Sequence, residues 1–203
     1  MKNTFLITTL LATTTLATSA VAATSGTCGT SASACSWKLE QNGTDTNGDP
    51  TYQLVITGSG AMTEFGATYV DNKWVSNAPW SSDMSSVTSV VVGTGITSIG
   101  QRAFDGATNL TDVSIPNSVT SIGVRAFSDT TNLTNINVPN SVTSIEGWAF
   151  TNSGITSINI PNSVTSIGQQ AFDGASNLES VTLGNSVTYL GPSIFQNATN
   201  LRT

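Results

Sequence analysis

Asp105, Asp129 and Asp173 each stand just behind a phenylalanine, at Phe104, Phe127 and Phe172, and a pair of carboxylates is the minimum that glycoside hydrolysis requires. Arg102 and Arg125 are near neighbours in sequence, so ion pairs or polar contacts in a linking segment explain these acids more simply than catalysis. The chain has no histidine, which removes Ser/His/Asp and Cys/His systems together with the commonest general base. Its two cysteines, Cys28 and Cys35, have six residues between them, form no CxxC motif and lack the histidines a four-ligand zinc site would need. In an exported chain such a lone close pair reads as a local disulfide, with free thiols as the alternative. Asp45 and Asp49 in NGTDTNGDPT hint at calcium, but the later glutamate of a calcium loop is missing and a solvated turn fits better. The residues point away from an enzyme, leave glycosidase-like chemistry as a remote alternative, and imply no cofactor or metal.

The charge balance narrows the partners. Six lysines and arginines against twelve acids give a net charge of −6, so neither nucleic acid nor an anionic membrane finds the clustered positive charge it needs. Residues 1–23 carry one early charge, Lys2, then an apolar, threonine-rich run closing on Ala20-Val21-Ala22-Ala23. That pattern predicts a secretory signal peptide, not a membrane span, and an extracellular destination, secreted or at the cell surface.

The elements that would position side chains follow from repetition. Phe104, Phe127, Phe150, Phe172 and Phe195 are separated by 23, 23, 22 and 23 residues. Around each runs L-x-x-V-x-I-P-N-x-V-T-x-I-G-x-x-A-F, and IPNSVTSIG occurs letter for letter at 115–123 and 160–168. A fixed period in the twenties predicts a solenoid, here five copies over residues 87–203 plus the start of a sixth at Leu201. V-x-I alternation turns Val113 and Ile115 inward and Ser114 outward, as in a half-buried strand. Pro116 and Asn117 turn the chain, Val119 and Ile122 enter the core from a second short extended segment, and Gly123 lets the chain turn again before Ala126 and Phe127, on one turn of helix or 3-10 structure. One unit alone cannot cover its apolar side chains, so units must stack. Stacking should align Asn117, Asn140, Asn162 and Asn185 as an amide ladder and Thr97, Thr120, Thr143, Thr165 and Thr188 as an outward row. A threonine row also fits an ice-binding face, but one row followed by serine lacks the paired rows such a face would want. Residues 24–86 precede the array as a small β-rich cap, with Trp37, Leu39, Leu54, Val55, Ile56, Met62, Trp74 and Trp80 as apolar bulk over the exposed end of the first coil.

IPNSVTSIG followed by AF at this period resembles the BspA-like leucine-rich repeats of bacterial and protist surface proteins, and SGTCG at 25–29, CSWKLE at 35–40, LVITGSGAM at 54–62 and APW at 78–80 resemble the segment that often precedes them. Ala107, Thr131 and Ala175 stand where many members carry a cysteine. The resemblance implies a β-rich α/β leucine-rich-repeat fold of short parallel strands, and a role in attachment to matrix glycoproteins, host cells or other microbes.

The expected partner surface is the set of outward places on the first strand: Asp112, Ser114, Asn135, Asn137, Ser157, Asn159, Ser180 and Thr182, with Trp148 and Tyr189 as aromatic departures from the pattern. Short uncharged groups favour a weak, polar contact multiplied along the array. The leading expectation is an exported interaction or adhesion module for an extracellular protein or glycoprotein. The alternative is a carbohydrate- or glycoprotein-recognising module of a larger extracellular protein. The open last coil is expected to continue into further repeats or to associate with another copy.

Overall fold

The computed structural model describes residues 25–29 and 34–202, so the proposed signal segment at 1–23 lies outside the described residues. Six cap strands come first: β1 (Ser25–Thr27), β2 (Ser36–Thr44), β3 (Pro50–Thr57), β4 (Gly60–Ala61), β5 (Ala67–Val70) and β6 (Lys73–Ser76). A 3-10 helix at Ser81–Ser86 leads into β7 (Val87–Val92) and β8 (Ile96–Ile99) of the first copy. Later copies contribute β9 (Asp112–Ser114), β10 (Ser121–Ile122), β11 (Ser144–Ile145), β12 (Ser157–Ile160), β13 (Ser166–Ile167), β14 (Ser180–Leu183) and β15 (Tyr189–Leu190).

Equal positions of successive copies stack in parallel, Ile99 against Ile122, Ile122 against Ile145, and Ile145 against Ile167. The result is a six-stranded sheet, β4-β8-β10-β11-β13-β15, with one strand from each copy and one from the cap. The V-x-I segments pair likewise, β7 with β9 and β12 with β14, but residues 133–139 of the third copy are not in strand geometry, so this second ladder is divided. Pro116 and Pro161 limit the strands of the second and fourth copies because proline has no N–H to donate to a ladder, and Gly93 and Gly184 stand at the corresponding places after β7 and β14.

Between the ladders the core is one column. Val119, Ile122, Ala126 and Phe127 are fully buried, as are Val142, Ile145, Ala149 and Phe150 in the next copy. Each phenylalanine removes about 1.5–3 kcal/mol worth of apolar surface from water. It does so against its neighbours in the stack.

The segment carrying Ala-Phe is not helical. Among the described residues the 3-10 turn at Ser81–Ser86 is the one helical element, and the Ala-Phe segments are hydrogen-bonded turns. Their N–H groups alternate in direction. Arg102, Phe104 and Gly106 donate to Val124, Ala126 and Ser128 of the next copy, whereas Ala103, Asp105 and Ala107 donate three residues back. A helix would direct all these donors along its own axis; here half of them bind the copies together.

Gly123 is required for a different reason than a turn. A Cβ there would lie 2.8 Å from both the Gln101 nitrogen and the Ile99 oxygen, so the preceding coil's backbone occupies the space. The asparagine row is also simpler than a ladder: the Asn185 N–H donates to the Asn162 side-chain oxygen at 2.8 Å, and the amides of Asn117 and Asn140 face solvent. The threonine row is exposed, and from Thr120 onward each hydroxyl donates to the backbone oxygen one copy back, Thr120 to Thr97 and Thr143 to Thr120 both at 3.1 Å. That use of the hydroxyls is structural.

The residues before the array pair with the first copy much as the copies pair with one another. Leu54, Val55 and Ile56 of β3 pair with Val90, Val91 and Val92, and Phe65 donates its N–H to the Gln101 oxygen, as Arg102 does to Val124 one copy later. Trp80 Nε1–H donates to the Ala103 oxygen at 2.7 Å, taking the part that a preceding phenylalanine amide takes for Ala126. Trp37, Leu39, Leu54, Ile56, Met62 and Trp80 are buried as expected, and Val55 is half-buried. Trp74 departs from that group: it is 63% exposed, because β5 and β6 form a hairpin that packs beside the array instead of over its end.

Candidate functional site

On the strand face, Asp112, Ser114, Asn135, Asn137, Ser157, Asn159, Ser180 and Thr182 are all exposed. Period-two alternation makes them so, since their neighbours Val113, Ile136, Ile158 and Ile160 are drawn into the core. Parallel register sets Ser157 abreast of Ser180 and Asn159 abreast of Thr182, roughly 4.8 Å apart. The first copy is withdrawn from this face: Ser89 accepts hydrogen bonds from Asn42 and Gln53 of the cap, both at 3.2 Å. The surface carries one charge, at Asp112, and a mixture of donors and acceptors. It offers hydrogen bonding from short side chains.

Trp148 and Tyr189 lie elsewhere. Trp148 sits in the turn before Phe150, half-buried, with the Arg125 guanidinium 5.3 Å from its ring centroid. Tyr189 is on β15 in the fifth copy, 56% exposed, and its neighbour Leu190 is exposed as well.

The carboxylates behind the phenylalanines join copies and turns. Asp129 accepts from Asn152 at 2.8 Å and from Ser128 at 3.0 Å, and Asp173 accepts from Gln170 and Asn197, both at 2.9 Å. Asp105 pairs with Arg102, the two side chains only 9% and 14% exposed. Burial raises the Asp105 pKa, with Asp129 adding to the rise, against the opposing charge and hydrogen bond of Arg102 and a hydrogen bond from Ser128. Cys28 and Cys35 are disulfide-bonded, with Cα atoms 5.1 Å apart and both side chains buried. Asp45 accepts from the backbone N–H groups of Asn47 and Asp49, which is the turn expected there. The buried residue of the second copy at the place of Ala107 and Ala175 is Thr130, not Thr131, which is exposed.

A second surface was not visible in the residue pattern. The β5–β6 hairpin turns on Asp71 and Asn72, both left-handed at φ 48° and 63°, and holds Tyr69 opposite Trp74 with ring centroids 5.2 Å apart. Both rings are more than half exposed. Beneath Trp74 an open cleft of about 740 Å³ lies between the hairpin, the 3-10 helix and the first two Ala-Phe turns, with Lys73, Arg102, Arg125, Asp105 and Asp129 on its walls. The signal was present as TYVDNKWV, an Asp-Asn turn flanked by aromatic and β-branched residues.

Residues 82–203 match the family model described as a BspA type leucine rich repeat region, in six copies. Among solved structures, a leucine-rich repeat protein from Bacteroides ovatus is 25% identical with a TM-score of 0.59, over 80% of this chain and 44% of that one. One from Eubacterium ventriosum is 29% identical with a TM-score of 0.55, over 80% of this chain and 45% of that one. A leucine-rich repeat protein from T. pallidum, 22% identical with a TM-score of 0.51 over 82% of this chain and 88% of that one, shares the fold. The chain spans less than half the length of the first two. None of the curated proteins matches.

Proposed function

The chain belongs to the BspA-type leucine-rich repeat family, a family of repeat modules suited to protein interaction, and on that premise we propose that it is an extracellular adhesion module, secreted or held at a cell surface. Read as a solenoid, its coils present the strand face to an extracellular protein or glycoprotein. The observation that carries this is the row from Asp112 to Thr182: eight exposed side chains, seven of them uncharged and short, with Ser157 abreast of Ser180 and Asn159 abreast of Thr182. Weak polar contacts repeated along such a row add by multivalency. The disulfide between Cys28 and Cys35 supports an oxidising compartment. The exposed apolar side chains of Leu183, Tyr189 and Leu190 suit contact with another protein surface, a second copy of the chain included.

Binding to immobilised matrix glycoproteins and to host cells tests the proposal. A variant carrying Ser114→Arg, Asn137→Arg and Asn159→Arg should lose binding while keeping its melting temperature. Undiminished binding by that variant would remove the strand face as the site.

A further inference from the structure

The cleft under the β5–β6 hairpin gathers charge against the trend of the whole chain. Of the six lysines and arginines in the sequence, three line it, Lys73, Arg102 and Arg125, in a protein of net charge −6. Two carboxylates face them, Asp105 and Asp129, and Asp105 is taken up by Arg102. Among the described residues neither Lys73 nor Arg125 forms an ion pair. The cleft therefore keeps an excess of positive charge, and Arg125 is held in place by lying over Trp148.

The rim supplies a second, different chemistry. Trp74 is 63% exposed and Tyr69 57%, yet the two rings pack on each other across a hairpin whose tight turn fixes their positions. Nothing in the core requires them there. Trp80, by contrast, is wholly buried. Exposed, rigid aromatic rings offer an apolar face with a polar edge at small entropic cost. The cleft floor adds hydroxyls from Ser81, Ser82 and Ser85. A ligand matching all three features has a C–H-rich face to lie on indole, hydroxyls to bond to serine, and an anionic group for Lys73 and Arg125. A pyranose bearing a carboxylate or sulfate has all three. An acidic peptide has the charge but no obligatory flat apolar face, and a neutral sugar leaves the cations unused.

We infer that this cleft binds an anionic saccharide, with Trp74 stacking on the sugar ring and Lys73 and Arg125 binding its acidic group. It is a site separate from the strand face, and it shares with the proposed adhesion only the extracellular setting in which such sugars are met.

The test is a titration of the full chain, followed by calorimetry, with a hexuronate oligosaccharide, a sulfated one, a neutral counterpart of equal length, and polyglutamate. One or both acidic sugars should bind about tenfold or more tightly than the neutral sugar and polyglutamate, and should weaken as salt is added. Which of the two binds identifies the acidic group. Trp74→Ala should weaken binding about tenfold and Lys73→Gln severalfold; both residues are exposed on the hairpin, so unchanged far-ultraviolet circular dichroism is expected. Equal binding of the neutral sugar or of polyglutamate, no binding of either acidic sugar at millimolar concentration, or full binding by Trp74→Ala would overturn the assignment. The Ser114, Asn137 and Asn159 triple variant should bind the sugar normally, so a failed cleft and a failed strand face give different results.

Discussion

The rings of Phe127 and Phe150 are stacked in parallel, centroids 5.4 Å apart and planes within 3° of each other. Parallel pairing at Ile122 and Ile145 fixes the translation from one copy to the next, and the side chains that follow inherit it. From Phe104 to Phe195 successive rings are 5.2 to 5.5 Å apart. A ring inside this column has protein on both faces. Phe127→Ala should therefore lower the unfolding free energy by about 3–5 kcal/mol, measured by urea denaturation, and Phe127→Leu by less. Phe195 is only half-buried, so Phe195→Ala should cost clearly less. Equal losses at the two positions would contradict a stability built from neighbour contacts.

The period and the apolar places were enough to foresee that column, because a repeated sequence forces repeated contacts. They did not show what the Ala-Phe segment does with its amides. Phe104 and Phe127 each donate to the next copy, to the oxygens of Ala126 and Ala149, and a hydrogen bond between copies leaves no trace in local propensity. One part of that geometry was legible. Gly106, Asp129, Asn152, Gly174 and Asn197 occupy one column, all at positive φ, and all are residue types that tolerate it. The neighbouring column, Arg102, Arg125, Trp148, Gln170 and Ser193, is equally left-handed and carries no such signature. There the stack holds the conformation, whatever the side chain.

Gly106→Ala isolates that backbone cost. No atom lies within 4 Å of an added Cβ at Gly106, and φ is +80°. The expected loss is about 1 kcal/mol, with Gly106→Asn costing less, because asparagine visits the left-handed region more readily. Thermal unfolding of the two variants side by side checks it, and equal melting temperatures for the Gly106→Ala variant and the parent would show that the strain is carried elsewhere.

Trp80→Phe keeps the ring in the cap core but removes the N–H that reaches the Ala103 oxygen. The buried carbonyl then lacks this donor, at a cost of about 1–3 kcal/mol. Hydrogen exchange should quicken first in the cap and the first copy, and a uniform change along the array would argue against Trp80 as the joint between them.

Reducing the Cys28–Cys35 disulfide releases a short loop next to Trp37. Chain entropy alone predicts a loss of about 2–3 kcal/mol, read as a lower denaturation midpoint in the presence of a reductant. The Cys28 N–H also donates to the Cys35 oxygen at 3.0 Å, next to the β1–β2 pairing, so that pairing should survive reduction.

The cleft shows why site residues are harder to foresee than core residues. Trp74 reads as cap bulk because a tryptophan in an apolar-rich segment is expected to be buried, and only the hairpin's placement beside the array exposes it. Lys73 comes from the hairpin and Arg102 and Arg125 from two successive copies; spread over fifty-odd residues, they line one cleft because the copies stack and the hairpin lies beside them, which no single repeat displays. The strand row is the opposite case: alternation within each strand suffices to turn Ser114, Asn159 and Thr182 outward.

Asp105 tests the balance inside that cleft. Its pKa is raised chiefly by burial, which outweighs the attraction of Arg102 and its hydrogen bonds, while Asp129 pushes in the same direction as burial. The folded chain therefore holds this proton more tightly than the unfolded chain does. The stabilisation is complete below the usual aspartate pKa and is lost as pH rises through the raised value, where the buried carboxylate must ionise. Serine already stands at the equivalent place in the next copy, Ser128, and is fully buried there. Asp105→Ser should accordingly be closest to the parent, or ahead of it, at neutral pH and should fall behind in acid, where the parent gains its proton. Melting temperatures of both chains from acid to neutral pH reveal the sign directly. A variant that loses most at neutral pH and least in acid would show that the Arg102 pair, not burial, governs Asp105.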